Sequence, residues 1–157
     1  MSRTRLLTLS LLCASILSCS YSFVLDGKRS MEKYALAPSR NGTTLIDAGA
    51  ILDASLERTF TSMGMVDPKG TIHTLKSTIS SYTVQTVTSP SLSSSDRYRL
   101  IVSVNVRVTD EKGKELWQMN FSDTGTFSQG GRAEDALPEA FDRVSQQIAR
   151  TLVSVTL

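Results

Sequence analysis

Tyr98-Arg99-Leu100-Ile101-Val102-Ser103-Val104-Asn105-Val106-Arg107-Val108-Thr109 is the stretch that decides how this chain folds. Its even positions are Tyr98, Leu100, Val102, Val104, Val106 and Val108; its odd positions are Arg99, Ile101, Ser103, Asn105, Arg107 and Thr109. Successive side chains of a strand point to opposite faces, so this period of two predicts one buried and one solvated face. Asp110-Glu111-Lys112-Gly113 follows as a hairpin loop, with Gly113 available for a left-handed position. The return strand from about Lys114 sets Trp117, Met119 and Phe121 on one face and Gln118, Asn120 and Ser122 on the other. The two strands are therefore antiparallel neighbours.

Upstream, Thr71 to about Thr88 is rich in Thr, Ile, Val and Tyr and reads as extended. Ser89 to Ser95, with Pro90 and five serines, reads as a flexible loop. Asp47 can cap a helix running to about Met63, in which Ile51, Leu52, Leu56, Phe60 and Met63 recur at steps of three and four. Gly64 is placed to end it, and Asp67-Pro68-Lys69-Gly70 is a turn. Two short strand-like runs come first, Tyr21 to Leu25 and Tyr34 to Ala37, the second closed by Pro38. The polar connection Asp26-Gly27-Lys28-Arg29-Ser30 joins them, and Asn41-Gly42 marks a turn.

Downstream, Gln129-Gly130-Gly131 breaks the sheet. Glu134 or Asp135 opens a long helix, with Pro138 tolerated in its first turn. Leu137, Phe141, Val144, Ile148, Leu152 and Val155 form its apolar stripe, opposite Glu139, Asp142, Arg143, Gln146, Gln147 and Arg150. The order is two short strands, helix, three long strands, helix. Each helix needs one apolar face covered, and the long strands offer one. The expected fold is a two-layer α+β sandwich, with two helices packed on one face of a mostly antiparallel β-sheet and the other face polar and free.

Composition narrows the function. The chain has 157 residues, 40% of them hydrophobic and 20% charged, which suits one folded domain rather than a disordered tail. A formal charge of +2 argues against nucleic acid as a partner. Two cysteines and one histidine supply neither a zinc site nor a multi-disulfide scaffold. His73, the one imidazole, has no serine in a Gly-x-Ser-x-Gly elbow to serve, and reads as a partly exposed strand residue. The acidic pairs Asp110-Glu111 and Glu134-Asp135 stand where solvation and capping explain them. Gly125 and Gly130 lack the Lys-Ser/Thr of a phosphate loop, and no dinucleotide fingerprint occurs. The sequence points to no catalytic residue, cofactor or metal, and to no enzyme.

The first eighteen residues read as an export leader. Arg3 and Arg5 precede the apolar run Leu6 to Leu17, which is too short to span a bilayer as a permanent helix. Ile16-Leu17-Ser18-Cys19 resembles the lipobox of bacterial lipoproteins. Cleavage there makes 1–18 a lipoprotein signal peptide and 19–157 a single periplasmic domain, lipid-anchored at Cys19. Cys13 leaves with the leader, and so do two basic residues, which brings the remaining domain to neutrality. Ser20 after the Cys, rather than Asp, favours the outer membrane by analogy. The sequons at Asn41 and Asn120 read as chance.

The chain from Cys19 onward resembles the lipopolysaccharide-assembly lipoprotein family, LptE-like. Cys19-Ser20-Tyr21-Ser22-Phe23 resembles its acylated, aromatic-rich start, and Tyr34 to Met63 its short strand, turn and first helix. Tyr98 to Val108, Gly113-Lys114 and Leu116-Trp117 resemble its central hairpin; Glu134-Asp135-Ala136-Leu137 with Ile148-Ala149-Arg150-Thr151-Leu152 resembles its last helix. The resemblance implies a non-enzymatic partner that plugs the outer-membrane LPS-insertion β-barrel, assists its assembly and contacts LPS. The alternative is an outer-membrane-tethered activator of a peptidoglycan synthase, which a long Pro- or Gln-rich spacer after Cys19 would favour. Tyr21 begins a strand at once instead.

Arg97, Arg99 and Arg107 share the odd parity of one strand and so the face away from the helices. Guanidinium groups suit bidentate phosphate contacts, and lipid A is phosphorylated. Equally, arginines on a solvated strand keep a sheet soluble or pair with acids of a barrel lumen. Cys19→Ala should leave the protein unprocessed or released from the membrane. Labelled palmitate still entering the Cys19→Ala variant would refute lipidation at that position.

Overall fold

Strand β4 (Arg97–Asp110) is hydrogen-bonded along both of its edges, to β3 (His73–Val87) and β5 (Glu115–Ser128), each time antiparallel. The computed structural model describes residues 32–70, 73–87 and 97–155. The leader, Cys19, the run Tyr21 to Leu25, the connection 26–30 and the Ser89 to Ser95 loop lie outside the described residues. Within β4 the expected alternation holds as far as Val108, with Leu100, Val102, Val104, Val106 and Val108 wholly buried and Arg97, Arg99 and Arg107 exposed; Thr109, expected on the solvated face, is buried where the register with β5 shifts. The register pairs Val108 with Trp117, Val104 with Phe121 and Leu100 with Gly125, which puts odd-numbered β5 residues on the buried face. At the loop, Asp110 Oδ1 accepts the N–H groups of Lys112 and Lys114, and Gly113 takes φ +79°.

On the other side of β3 lie two short strands, β1 (Tyr34–Leu36) and β2 (Arg40–Asn41), both parallel to it. The turn expected at Asn41-Gly42 is thus preceded by a pairing that the sequence did not announce. Asn41 closes it, its Oδ1 accepting the Thr43 N–H and its Nδ2 donating to the Leu45 carbonyl. A parallel neighbour needs a crossover, and α1 (Ala48–Ser62) supplies it. The sheet is therefore mixed and mostly antiparallel, in the order β1-β3-β4-β5 with β2 beside β3.

Helix α1 buries Ala48, Leu52, Ser55, Leu56 and Phe60, with Ile51 and Met63 packed at its flanks. Asp47 stands at its N-cap but makes no side-chain cap bond. Its φ of +56° is left-handed, not the extended backbone from which a carboxylate reaches the open N–H groups of the first turn. The C-terminus closes as expected: Gly64 (φ +68°) donates to the Thr61 carbonyl at 3.0 Å and Met65 donates to Phe60 at 2.9 Å. A Cβ at that dihedral would be strained, which is why glycine sits there.

Glu134 and Asp135 do not open the second helix directly. They lie in a 3-10 turn (Ala133–Ala136), where Asp135 Oδ2 accepts the Arg132 N–H at 2.8 Å. Helix α2 (Leu137–Ser154) follows with Pro138 in its first turn, burying Leu137, Ala140, Phe141, Val144, Ser145, Ile148, Ala149 and Leu152. Its stripe stops at Leu152, because Val155 is already the extended C-cap residue. The 3-10 turn comes so close to β5 that a Cβ on Gly125 would meet the Ala136 carbonyl oxygen at 2.1 Å. Met119 lies on the expected face yet is 43% exposed. The reason is that α2 meets β5 at Asp123 and Thr126, through Gln147 and Glu139, and leaves the other half of this edge strand bare.

Both helices thus cover one face of the sheet. Tyr34 fills the corner between β1 and α1, its ring edge-on to Phe60 at 6.1 Å. Burial first, then the charge of Glu32 and a hydrogen bond to it, pushes the Tyr34 phenol well above the ordinary tyrosine range. Val104→Asp would bury a carboxylate with no partner, at a cost of several kcal/mol against a total stability of about 5–15 kcal/mol. Asn105→Asp, one residue along on the solvated face, should be nearly silent. Equal melting temperatures for the two variants would refute this register.

Candidate functional site

The face of the sheet opposite the helices is the surface that the fold leaves open. Register across β3, β4 and β5 composes it in rows: Lys76, Arg107, Gln118; Thr78, Asn105, Asn120; Ser81, Ser103, Ser122; Thr83, Ile101, Thr124; and Gln85, Arg99, Thr126. Beyond these, Arg97 stands between Val87 and Ser128, and Glu115 pairs with Thr109 at the other end. The middle rows carry hydroxyls and amides, and Asn105 Nδ2 donates to Asn120 Oδ1 at 2.7 Å.

Among the described residues of these three strands, the face carries four cations, Lys76, Arg97, Arg99 and Arg107, against the single acid Glu115. The three arginines singled out by parity do share this side, but they do not form one cluster. Arg107 and Arg99 are eight residues apart, roughly 27 Å along a strand. Arg107 is held, with its Nε 3.8 Å from Glu115 Oε2 and 3.4 Å from Asn105 Oδ1. Arg97 and Arg99 form no ion pair among the described residues and extend into solvent.

Lys76, directly opposite Arg107, was missed by sequence reasoning. Only the β3–β4 register places it beside Arg107. Directly opposite residues have Cβ atoms about 4.5–5.5 Å apart, and like charges there are destabilising. Glu115, 3.8 Å from the Arg107 guanidinium, offsets part of that repulsion.

The buried face offers no comparable chemistry. Asp123 points toward α2, where Gln147 Nε2 donates to it at 2.5 Å and Arg143 lies 3.9 Å away. Asp142 on α2 accepts from Ser55 Oγ at 2.8 Å and Arg58 Nη1 at 3.0 Å on α1. These carboxylates tie the layers together. His73 lies half-buried with its ring tilted against Tyr34 at 6.0 Å, and its Nδ1 is buried without a hydrogen bond. A groove of about 550 Å³ beside β1 is floored by Leu36, Pro38, Leu56 and Val66. Its Asp53 is occupied in accepting the Ser39 N–H at 2.8 Å. Among the described residues no three His, Cys, Asp or Glu side chains gather as metal ligands. No helix among them is long and apolar enough to cross a membrane.

The family model for LptE, lipopolysaccharide-assembly, matches residues 31–152. No curated protein matches the chain. Among solved structures, it is similar to a minor lipoprotein from Acinetobacter baumannii (TM-score 0.54, 14% identity, 79% of this chain and 94% of that one). It is also similar to the PelC dodecamer from Paraburkholderia phytofirmans (TM-score 0.50, 16% identity, 73% of this chain and 86% of that one). At such identities the likeness is one of fold. Lys76→Glu should raise stability by about 0.2–1 kcal/mol, since it replaces a like-charge pair with an attractive one. A fall in melting temperature would show that Lys76 has a structural role instead.

Proposed function

Since the chain belongs to the lipopolysaccharide-assembly family LptE, we propose that it is a non-enzymatic lipoprotein that partners and plugs the LPS-insertion β-barrel. In this reading residues 1–18 are the signal peptide. The domain 19–157 is held at the periplasmic side of the outer membrane by lipid on Cys19, and assists barrel assembly and delivery of LPS to the outer leaflet. The observation that carries the reading is the uncovered polar sheet face with its four cations and one acid. A hydroxyl- and amide-lined face suits the wet lumen of a barrel, and unpaired guanidinium groups suit phosphate oxygens. Arg97 and Arg99, two apart on one face and roughly 7 Å from each other, are the residues assigned to that contact, with Arg107 as the cation of the opposite end.

Charge reversal separates LPS contact from barrel contact. If LPS is the ligand, Arg97→Glu with Arg99→Glu should abolish salt-sensitive LPS binding by the purified protein while the barrel still co-purifies from detergent-solubilised outer membrane. If the arginines meet the barrel, co-purification fails and LPS binding persists. Normal behaviour in both assays would remove this face from the mechanism. Co-purification of a penicillin-binding protein in place of a large barrel would overturn the family role in favour of peptidoglycan-synthase activation.

A further inference from the structure

Among the described residues, the outer edge of β3 is paired for only half its length. β1 covers His73–Leu75 and β2 covers Thr78–Ile79, after which the Gly42 N–H takes the Ile79 carbonyl at 2.9 Å. The chain then leaves the sheet. A bulge at Ser80 shifts the strand's phase, so that Ser81 faces Ser103 and Tyr82 faces Val102. The Ser103 carbonyl is turned toward β3, where it accepts from Ser80 Oγ, so Ser81, Thr83, Gln85 and Val87 are the positions that bond to β4. Bonded and unbonded positions alternate in an antiparallel pair, which directs the N–H and C=O groups of Tyr82, Val84 and Thr86 outward.

The free half of β5 differs. Its outward groups at Thr124, Thr126 and Ser128 are taken by Asp123, Arg143, Glu139 and the Gly131 N–H. Its open part, Gln118 to Ser122, has one exposed large apolar side chain, Met119. Beside the β3 edge there are three: Tyr82 is 37% exposed, Val84 42% and Ile46 59%. The segment bearing Ile46 is held there, since Thr44 Oγ1 lies 3.2 Å from the Tyr82 hydroxyl. An edge that the described residues leave unpaired, with apolar side chains along it, is the surface that folded proteins ordinarily blunt.

We propose that the β3 edge at Tyr82–Thr86 takes one further β-strand from another polypeptide, an extended segment that alternates apolar and acidic residues. Six backbone groups aligned along the edge call for the complementary groups of a strand, which no lipid or sugar presents at that spacing. The strand's apolar residues cover Tyr82, Val84 and Ile46. Its alternate side chains fall on the polar face beside Thr83 and Gln85, two strand spacings or roughly 10 Å from Arg99 and Arg97. Those arginines have no acid partner among the described residues, and two extended side chains span that distance. A second copy of this chain fits poorly, because joining two such edges continues the sheet and adds the cations of one copy to those of the other. The strand and a phosphate ligand draw on the same two arginines, so the test is made on protein free of LPS.

The test is amide hydrogen exchange on the isotope-labelled full-length processed protein, with a synthetic heptapeptide of alternating valine and glutamate as the probe. The peptide should slow exchange at Tyr82, Val84 and Thr86 by about tenfold or more, leaving Gln118 to Ser122 unchanged. The same peptide N-methylated on the bonding amides, or with lysine in place of glutamate, should lose that protection. Val84→Pro should abolish it as well, since it removes an outward N–H and no bond to β4. The N-methylated peptide keeps the test decisive if that variant misfolds. Absence of protection, or equal protection by the lysine peptide, would overturn the proposal. Protection already present without peptide would overturn it too. If independent of protein concentration it would assign the edge to this chain's own residues, and if rising with concentration to a second copy.

Discussion

Strand β4 is bonded to a neighbour on each edge while its two faces are held to opposite chemistries. Both constraints act on the same 14 residues, and the remainder of the domain follows from them. A strand paired on both sides cannot slide by one residue without exchanging Val102, Val104 and Val106 for Ser103, Asn105 and Arg107. Every residue that faces the helices is thereby fixed, and so is every residue that does not. The helices are held to one side because only that side offers apolar surface to cover.

The approach of the helix layer is set by small and polar groups as much as by large apolar ones. Gly125 lets the Ala136 carbonyl come against β5, and any side chain there would force the 3-10 turn away. Asp123 with Gln147, and Asp142 with Ser55 and Arg58, then lock α2 to the sheet and to α1. None of this consumes the polar face. The acids that tie the layers are spent on the helix side, while the opposite face keeps an excess of cations. Charge that is nearly balanced over the chain is separated across the thickness of the sheet, which gives a weakly charged protein a strongly polarised surface.

Membership of a lipopolysaccharide-assembly family gives that polarity a context. The fold is shared, at low sequence identity, with a minor lipoprotein and with the PelC dodecamer, so it is a scaffold on which different faces and edges can be put to use. Here the scaffold presents two distinct surfaces: a cationic, hydroxyl-lined plane, and a half-strand of open edge with apolar side chains. Arg97 and Arg99 stand where the two meet.

Much of this was legible in order along the chain, because it rests on local period. The period of two in Tyr98–Thr109, the helical spacing of Leu52, Leu56 and Phe60, the Gly64 stop and the Pro138 start each depend on neighbours within a few residues. So did the parity that put Arg97, Arg99 and Arg107 on one side. What depended on distant partners was not legible. Lys76 faces Arg107 only through the β3–β4 register, and Arg107 is separated in kind from Arg97 and Arg99 only by its bond to Glu115 across the hairpin. Gly125 means nothing until Ala136 arrives above it, and two residues at Arg40–Asn41 are a strand only because β3 lies alongside. Asp47 reads as a cap until its backbone turns left-handed. Local period was enough to say which face of each element turns inward, though not how far a residue such as Met119 is covered. Tertiary structure alone decided which elements meet, which charges face one another and where an edge is left unpaired, since those depend on residues brought together from far along the chain.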